Sequence, residues 1–354
     1  MTTGDRIKAF AKLGTFLQRF SLADTDSMTA EEKKHYSDLE ELVATVHIHN
    51  PWFTESNVRQ SIRALANNLR ERELNDFLLP YLSKLDIKKP LRVAVIMAGN
   101  IPMVGFHDML CVLLSGHRFI GKLSSEDKFL LPFISRILTD IEPRFKEYVE
   151  FTEDRLKSLD AVIATGSNNS ARYFEYYFGK YPNIIRQNRN SVAVLTGKES
   201  IAELRALGED IFLYYGLGCR NVSKLFVPHG YKFDTFYSAI VDFSDLAQNN
   251  KYMNNYEYNR TVFLMSSDPT LLDNNFLLLK QDPGYSSPVG VLYYEYYDDL
   301  QKLTGRLEEE RDQIQCVVSH SEKVYGALPF GTAQCPGLKD FADGVDTMKF
   351  LAGL

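Results

Sequence analysis

The run Leu91-Arg92-Val93-Ala94-Val95-Ile96-Met97-Ala98 is almost unbroken apolar sequence, and it stops abruptly at Gly99-Asn100-Ile101-Pro102. A short segment without polar alternation suits a strand buried on both faces, which requires a parallel sheet covered by helices. The pattern then recurs. A helix is expected over Asp108–Leu114, a second strand over Arg118–Lys122, a helix over Phe129–Ile141, a third strand over Asp160–Gly166 and a fourth over Ser191–Leu195. Strands alternating with helices in this way define an α/β class with right-handed crossovers.

The first ninety residues read as mostly helical. Glu55–Leu69 places Val58, Ile62, Leu65 and Leu69 at helical spacing behind Thr54 as N-cap, and Lys88-Lys89-Pro90 breaks the pattern. After Thr196-Gly197 the sequence restarts with a long helix (Glu199–Tyr215), a glycine-rich loop, and strands at Ser223–Val227, Thr261–Met265, Val289–Tyr293 and Gln315–Val318. The expected organisation is a helical region over 1–90, an α/β domain over 91–196, a second α/β domain over 197–330 and a C-terminal segment over 331–354. No internal repeat is present.

Composition narrows the function classes. At 354 residues the chain has room for two domains, and its net charge of −6 argues against binding nucleic acid or anionic membranes. No segment approaches the ~20 uncharged apolar residues of a membrane span, and the charged N-terminus lacks the core of a secretory signal. The four cysteines, at 111, 219, 316 and 335, have neither metal-ligand spacing nor a dense disulfide pattern, so a reducing cytoplasm is the expected compartment.

Candidate chemistry gathers where strands end. Cys219 lies in Gly216-Leu217-Gly218-Cys219-Arg220-Asn221, between a helical run and the strand ending at Pro228, a junction suited to presenting a nucleophile. Asn100 follows the first strand and reads either as an oxyanion donor or as the cap of a turn before Pro102. Lys122, with Ser124 and Ser125 behind it, reads as a partner for a ribose or phosphate, or as a solvated lysine. Thr165-Gly166-Ser167 opens a helix whose first N–H groups suit a phosphate, and is equally an ordinary strand-to-helix turn. Cys111 and Cys316 read as core residues, and Cys335 as a loop residue. No HExxH, P-loop, GxSxG or GxGxxG pattern occurs.

In order along the chain, these segments resemble the aldehyde dehydrogenase superfamily, and within it the LuxC-type acyl-CoA reductases. Gly99-Asn100-Ile101-Pro102 is similar to the Trp-Asn-x-Pro segment whose Asn forms the oxyanion hole. Ile120-Gly121-Lys122-Leu123-Ser124-Ser125-Glu126 resembles the Lys-Pro-Ser-Glu segment that holds the adenosine ribose, and Ala164-Thr165-Gly166-Ser167 the Phe-Thr-Gly-Ser that receives the pyrophosphate. Gly218-Cys219 falls at the nucleophile motif. Asn190–Val194 lies where the family's cofactor domain ends, Ser287-Pro288-Val289-Gly290-Val291 resembles Phe-Gly-Pro-Val, and Leu328–Gly337 resembles the C-terminal Pro-Phe-Gly-Gly segment. Asn50-Pro51-Trp52-Phe53-Thr54 resembles the LuxC-type N-terminal region.

The resemblance implies an aldehyde-dehydrogenase-like fold, with a Rossmann-like NAD(P)-binding domain over 91–196 and a catalytic α/β domain over 197–330. It also implies Cys219 and Asn100 as catalytic residues, Lys122, Ser124, Ser125, Thr165, Gly166 and Ser167 at the cofactor, NADP or else NAD as that cofactor, and no metal. Two family carboxylates are missing. Arg186-Gln187-Asn188-Arg189-Asn190 stands where the water-activating Glu belongs, and Gly284-Tyr285-Ser286-Ser287 where a ribose-binding Glu belongs. Without a base for water, a Cys219 thioester exchanges with a thiol instead. The expected reaction is therefore NAD(P)H-dependent reduction of acyl-CoA or another acyl thioester to the aldehyde, with a helix N-terminus or Arg220 lowering the Cys219 pKa. An acyl-phosphate reductase and a non-catalytic binding or assembly subunit are the alternatives. The chain is shorter than typical members, so a homo-oligomer is an open option rather than a copy of the family's assembly.

Overall fold

A computed structural model of the chain describes residues 1–85, 89–266 and 268–354; Lys88, where the N-terminal helical pattern was expected to break, lies outside them. In chain order the elements are helices α1 (Thr3–Leu22), α2 (Ala30–Thr45), α3 (Glu55–Asn68) and α4 (Glu71–Leu78); then β1 (Arg92–Ile96), α5 (Phe106–Ser115), β2 (Arg118–Lys122), α6 (Leu130–Ile141), β3 (Val149–Thr152), β4 (Ala161–Thr165), α7 (Asn168–Phe178) and β5 (Asn183–Arg186). There follow β6 (Asn190–Val194), α8 (Ile201–Phe212), β7 (Val222–Pro228), α9 (Asp234–Ala239), α10 (Asn250–Met265), β8 (Leu272–Asp273), β9 (Leu278–Gln281), β10 (Val291–Tyr297), α11 (Leu300–Glu309), β11 (Ile314–Val318) and α12 (Thr347–Leu351). The α/β class read from the sequence is the class observed. Among the described residues no helix is long and apolar enough to cross a membrane.

The chain divides into two compact units, Met1–Gln187 with Gly337–Leu354, and Asn188–Pro336. The first is built on a five-stranded parallel sheet in the order β3-β2-β1-β4-β5. Val93, Val95, Phe119, Ala161 and Ile163 point from one face into a large core shared with the N-terminal helices. There α1 contributes Ile7, Phe10, Leu13, Leu17 and Phe20 at helical spacing, behind a Thr2–Asp5 capping box. Each such fully buried apolar side chain stabilises the fold by about 1.5–3 kcal/mol. The opposite face is covered more thinly. The β3–β4 crossover, residues 153–160, carries no helix, and Leu156 and Leu159 cover the sheet together with Phe174 and Phe178 of α7.

The C-terminal residues return to this first unit. Arg186 of β5, buried, forms two hydrogen bonds to Asp108 of α5 (2.6 and 2.8 Å) and donates a third to Thr347 of α12 (2.9 Å). His117 Nε2 lies 3.1 Å from the carbonyl of Leu351, and Tyr81 donates to Asp346.

The second unit carries a six-stranded sheet, β11-β6-β7-β10-β9-β8, parallel except for the β8 edge. Here the structure corrects three expectations. The strand at Ser191–Leu195, placed at the end of the 91–196 domain, is β6 and lies between β7 and β11, so the unit boundary falls before it. A strand buried on both faces looks the same in sequence whichever sheet it joins. Residues 331–336 stay with the second unit, and only 337–354 cross back. Finally, Thr261–Met265 is not a strand but the last turn of α10, a helix launched by the Asn249 side chain accepting the Tyr252 N–H.

Candidate active site

In the first unit the segments singled out in sequence meet at one edge. β1, β2 and β4 are neighbours in register, with Ile96 opposite both Lys122 and Ala164. The loops after them therefore emerge side by side: Gly99–Met103, Leu123–Asp127 and Gly166–Ser167. This is the carboxyl edge of a parallel sheet at the point where strand order reverses, the position at which such sheets form a ligand crevice.

The Asn100 loop is held from several sides. A Cβ on Gly99 would lie 2.5 Å from Ser124 Oγ and 2.8 Å from Glu126 Cβ, so only glycine allows the two loops to pack this closely. Ser61 of α3 donates to the Pro102 carbonyl (3.0 Å), and Asp127 accepts the Met103 N–H (2.8 Å). Met103 has a left-handed backbone (φ 57°), uncommon for a side chain of this kind. Burial pushes the Asp127 carboxyl up to about 6, against the pull of the Met103 and Leu130 N–H groups. Asn50 bridges onto the second loop, accepting from the Trp52 N–H (3.1 Å) and donating to the Glu126 carbonyl (3.2 Å).

Lys122 is half-buried at the end of β2, and its ammonium bonds are at the surface. Its ammonium donates to the carbonyls of Glu153 and Asp154, which ties the end of β2 to the loop after β3. Ser124 Oγ accepts the Glu126 N–H (3.2 Å), and Ser125 is exposed on the same turn. Ser167 is the N-cap of α7, its Oγ accepting the Ser170 N–H (3.2 Å), and the first turn of that helix carries no acidic residue. A Cβ on Gly166 would meet the Ser170 and Phe174 side chains at 2.8 and 2.9 Å, so their packing against this backbone requires glycine.

Cys219 belongs to the second unit. It is exposed, one residue into a turn between α8 and β7. The helix expected to run to Tyr215 ends at Phe212, and Tyr214 and Tyr215 both take left-handed conformations (φ 54° and 58°) before Gly216 does the same. The turn runs directly into β7 at Val222, so no helix starts at Cys219 itself. Arg220 is adjacent, and its Nε donates to the Ala333 carbonyl.

The backbone of the Cys219 turn is fixed by residues that sequence reading passed over. Buried Asn221 accepts the Gly218 N–H (2.8 Å) and donates to the carbonyls of Asp210, Ile211 and Leu213, closing the end of α8 onto the turn. Ser191 of β6 donates to the Cys219 carbonyl (3.0 Å). Asp210, fully buried, accepts the N–H groups of Gly331 (2.6 Å) and Ala333 (2.9 Å), and desolvation raises its carboxyl to about 6. The Pro329-Phe330-Gly331-Thr332-Ala333 segment is thereby locked beside the turn. A polar side chain isolated in sequence leaves no periodic signal, and only the contact reveals it.

The other thiols differ in kind. Cys111 is fully buried, which pushes its pKa far up and makes it inert, as the sequence suggested. Cys316 Sγ lies 3.0 Å from Ser191 Oγ, half-buried rather than in the core. Cys335 is on an exposed loop, its thiol raised by desolvation and then by Asp210. Lys224, fully buried on β7, donates to Glu295 (2.6 Å) and the Pro283 carbonyl (2.8 Å); burial lowers its pKa while Glu295 opposes the shift.

Aldehyde dehydrogenases are among the solved structures with this fold. Aldehyde dehydrogenase 21 from Physcomitrella patens, in complex with the reaction product succinate, superposes with a TM-score of 0.63 at 12% identity, covering 100% of this chain and 89% of that one. The NAD+ complex of an aldehyde dehydrogenase from Bacillus cereus gives 0.60 at 14% identity over 91% of this chain and 73% of that one. A curated relative, the long-chain acyl-protein thioester reductase of Vibrio harveyi, is 18% identical over 273 residues, 69% of this chain. The chain spans about half the length of that relative, 54%. The model of the acyl-CoA reductase (LuxC) family matches residues 30–242, more than half of the sequence. With an aldehyde-dehydrogenase fold, and with this match running from the N-terminal helices through the Cys219 turn, the chain belongs to the acyl-CoA reductase (LuxC) family.

Proposed function

We propose that the protein reduces an acyl thioester, acyl-CoA or an acyl-protein thioester, to the aldehyde with NADPH, NADH being the second choice, through a covalent acyl group on Cys219. The observation that carries this reading is an exposed thiol on a turn whose backbone is fixed by Ser191 and Asn221, in a chain of the LuxC family. The residues fit a dinucleotide. The start of α7 at Gly166-Ser167 has no acidic residue in its first turn and suits a pyrophosphate, and Lys122 at the end of β2 with Ser124 and Ser125 on the loop after it, one strand beyond β1, suit the adenosine ribose.

The chemistry then follows from the chain's own groups. The Cys219 thiolate attacks the thioester carbonyl, and the CoA or carrier thiolate leaves as the enzyme thioester forms. Asn100 and the Cys219 N–H donate to the oxyanion as it develops. NADPH or NADH, when bound, would supply the hydride. The resulting thiohemiacetal oxyanion on Cys219 collapses to release aldehyde and return the thiolate. Arg220, the next residue along the chain, is the cation we assign to favouring the thiolate.

The test is NADPH consumption and aldehyde formation across acyl-CoAs of different chain length, with Cys219→Ser alongside. Aldehyde formed by wild type and lost in the variant supports the proposal; undiminished aldehyde from Cys219→Ser overturns it. Turnover of acyl phosphate but not acyl-CoA would reassign the substrate. A Cys219 unreactive towards iodoacetamide, with no fluorescence change on adding NADPH or NADH, would mark a binding subunit instead.

A further inference from the structure

The Asn50-Pro51-Trp52 motif and Asp127 have no part in the chemistry above, yet Asp127 bonds the loop that carries Asn100, and Asn50 bonds the loop that carries Asp127. Asp127 is buried (7% exposed). One carboxylate oxygen accepts the Met103 N–H at 2.8 Å, while the other is shielded from solvent without a partner in hydrogen-bond geometry, the Leu130 N–H being the second group that draws on the carboxylate. A buried carboxylate left half-satisfied costs stability unless it does something an apolar residue cannot.

What it does is visible in the backbone. Met103 is held at φ 57°, a conformation that costs a side chain of this type about 1–3 kcal/mol and persists only when its surroundings enforce it. The enforcing contacts are the Asp127 carboxylate on the Met103 N–H, the Ser61 hydroxyl on the Pro102 carbonyl, and the close packing of Gly99 on Ser124 and Glu126. Asn50 in turn fixes the backbone at Glu126, the residue before Asp127, through a carboxamide itself oriented by the Trp52 N–H. Asn100 sits within this strained loop, between Gly99 and the turn that ends at Met103.

We infer that Asp127 is a positioning residue: its hydrogen bond to Met103, braced by Asn50 through the Glu126 backbone, sets the placement of the Asn100 side chain. The inference rests on the proposed role of Asn100 as oxyanion donor. It assigns the LuxC-type Asn50-Pro51-Trp52 motif a physical task, bracing one loop of the crevice. It also accounts for a charged residue being retained where burial disfavours it, since a carboxylate makes a stronger bond to an N–H than a neutral acceptor does.

The test is a double-mutant cycle on single-turnover release of CoA from acyl-CoA, comparing wild type, Asn100→Ala, Asp127→Ala and the double variant. Removing an oxyanion donor slows such a step by about 10²–10³-fold, and misplacing one by ~1 Å slows it by about 10²-fold. Asp127→Ala is expected to slow wild type by roughly that latter factor but to change the Asn100→Ala background by less than about threefold, because its effect passes through Asn100. Asp127→Asn retains an acceptor for the Met103 N–H and is expected to recover most of the rate. Equal slowing by Asp127→Ala in both backgrounds overturns the inference, since a general structural role gives that result. An Asn100→Ala variant as fast as wild type overturns the oxyanion assignment itself, and this inference with it. Thermal melting and NADPH titration of each variant separate a displaced loop from an unfolded unit.

Discussion

Ser191 Oγ donates a hydrogen bond to the carbonyl of Cys219, 3.0 Å away, while accepting the N–H of Cys316 at 3.2 Å. One fully buried hydroxyl thus joins β6 and β11 to the turn that presents the thiol. Ser191→Ala removes both hydrogen bonds, to the Cys219 carbonyl and from the Cys316 N–H, and is expected to lower stability by about 1–3 kcal/mol. Urea denaturation checks this. Iodoacetamide labelling of Cys219 in the folded variant should persist, since the change removes a backbone anchor and not the thiol.

The Asp108–Arg186 pair should show the asymmetry of buried ion pairs. Either single alanine substitution strands the other charge in the core, at an expected cost of about 3–5 kcal/mol. Replacing both with apolar residues of similar size should be markedly milder. Equilibrium unfolding of the three variants gives the comparison.

Asp127 and Asp210 predict a specific pH dependence. Both are raised in the folded protein to about 6, so the native state takes up protons that the unfolded chain does not bind until near pH 4. Their contribution to stability is fullest below about pH 4 and is lost as pH rises through about 6, roughly 2–3 kcal/mol for each group. Glu40, lowered by Arg59, and Glu295, lowered by Arg306 and Lys224 against desolvation, act in the opposite direction. The measurement is therefore a difference: between pH 6 and pH 4, Asp127→Asn should gain less stability, or lose more, than wild type.

Gly99→Ala should damage the crevice more than the fold. The added methyl would sit 2.5 Å from Ser124 Oγ and 2.8 Å from Glu126 Cβ, forcing apart the loops that carry Asn100 and Ser124. The expected outcome is weaker NADPH binding by tenfold or more on the order of steric displacement, with a melting-temperature change of only a few degrees, about what 1 kcal/mol produces. Fluorescence titration beside a thermal melt checks both.

Much of the architecture could be read before the structure because buried parallel strands are conspicuous: β1, β2, β4, β6 and β7 all stand out as apolar runs. Residues 261–265 misled because Val262, Phe263, Leu264 and Met265 are strand-like by type, whereas they finish a helix begun at Asn249. In place, Leu264 and Met265 are 55% and 82% exposed, so no buried face rewards extending them. Short β3 and β5 went unnoticed because Glu150 and Asn183 interrupt their apolar character. The segments named for the crevice, around Asn100, Lys122 and Ser167, do lie together at one sheet edge. The side chains that hold the loops stayed hidden for a plain reason. Asn50 reaches Glu126 across 76 residues and Asp210 reaches Ala333 across 123, and no local pattern encodes such a meeting.

The return of residues 337–354 to the first unit makes the second unit an insertion, a guest housed between two stretches of its host. That connectivity fixes an order of events during synthesis. When Gln187 leaves the ribosome, the host has its sheet and most of its core, but it lacks Thr347 for Arg186 and the Leu351 carbonyl for His117. Those partners arrive only after the whole guest has been made. The host therefore waits with an ion pair and a histidine at an unfinished surface until α12 docks on it. Removal of residues 337–354 would be felt first beside β5 and α5, far back along the sequence.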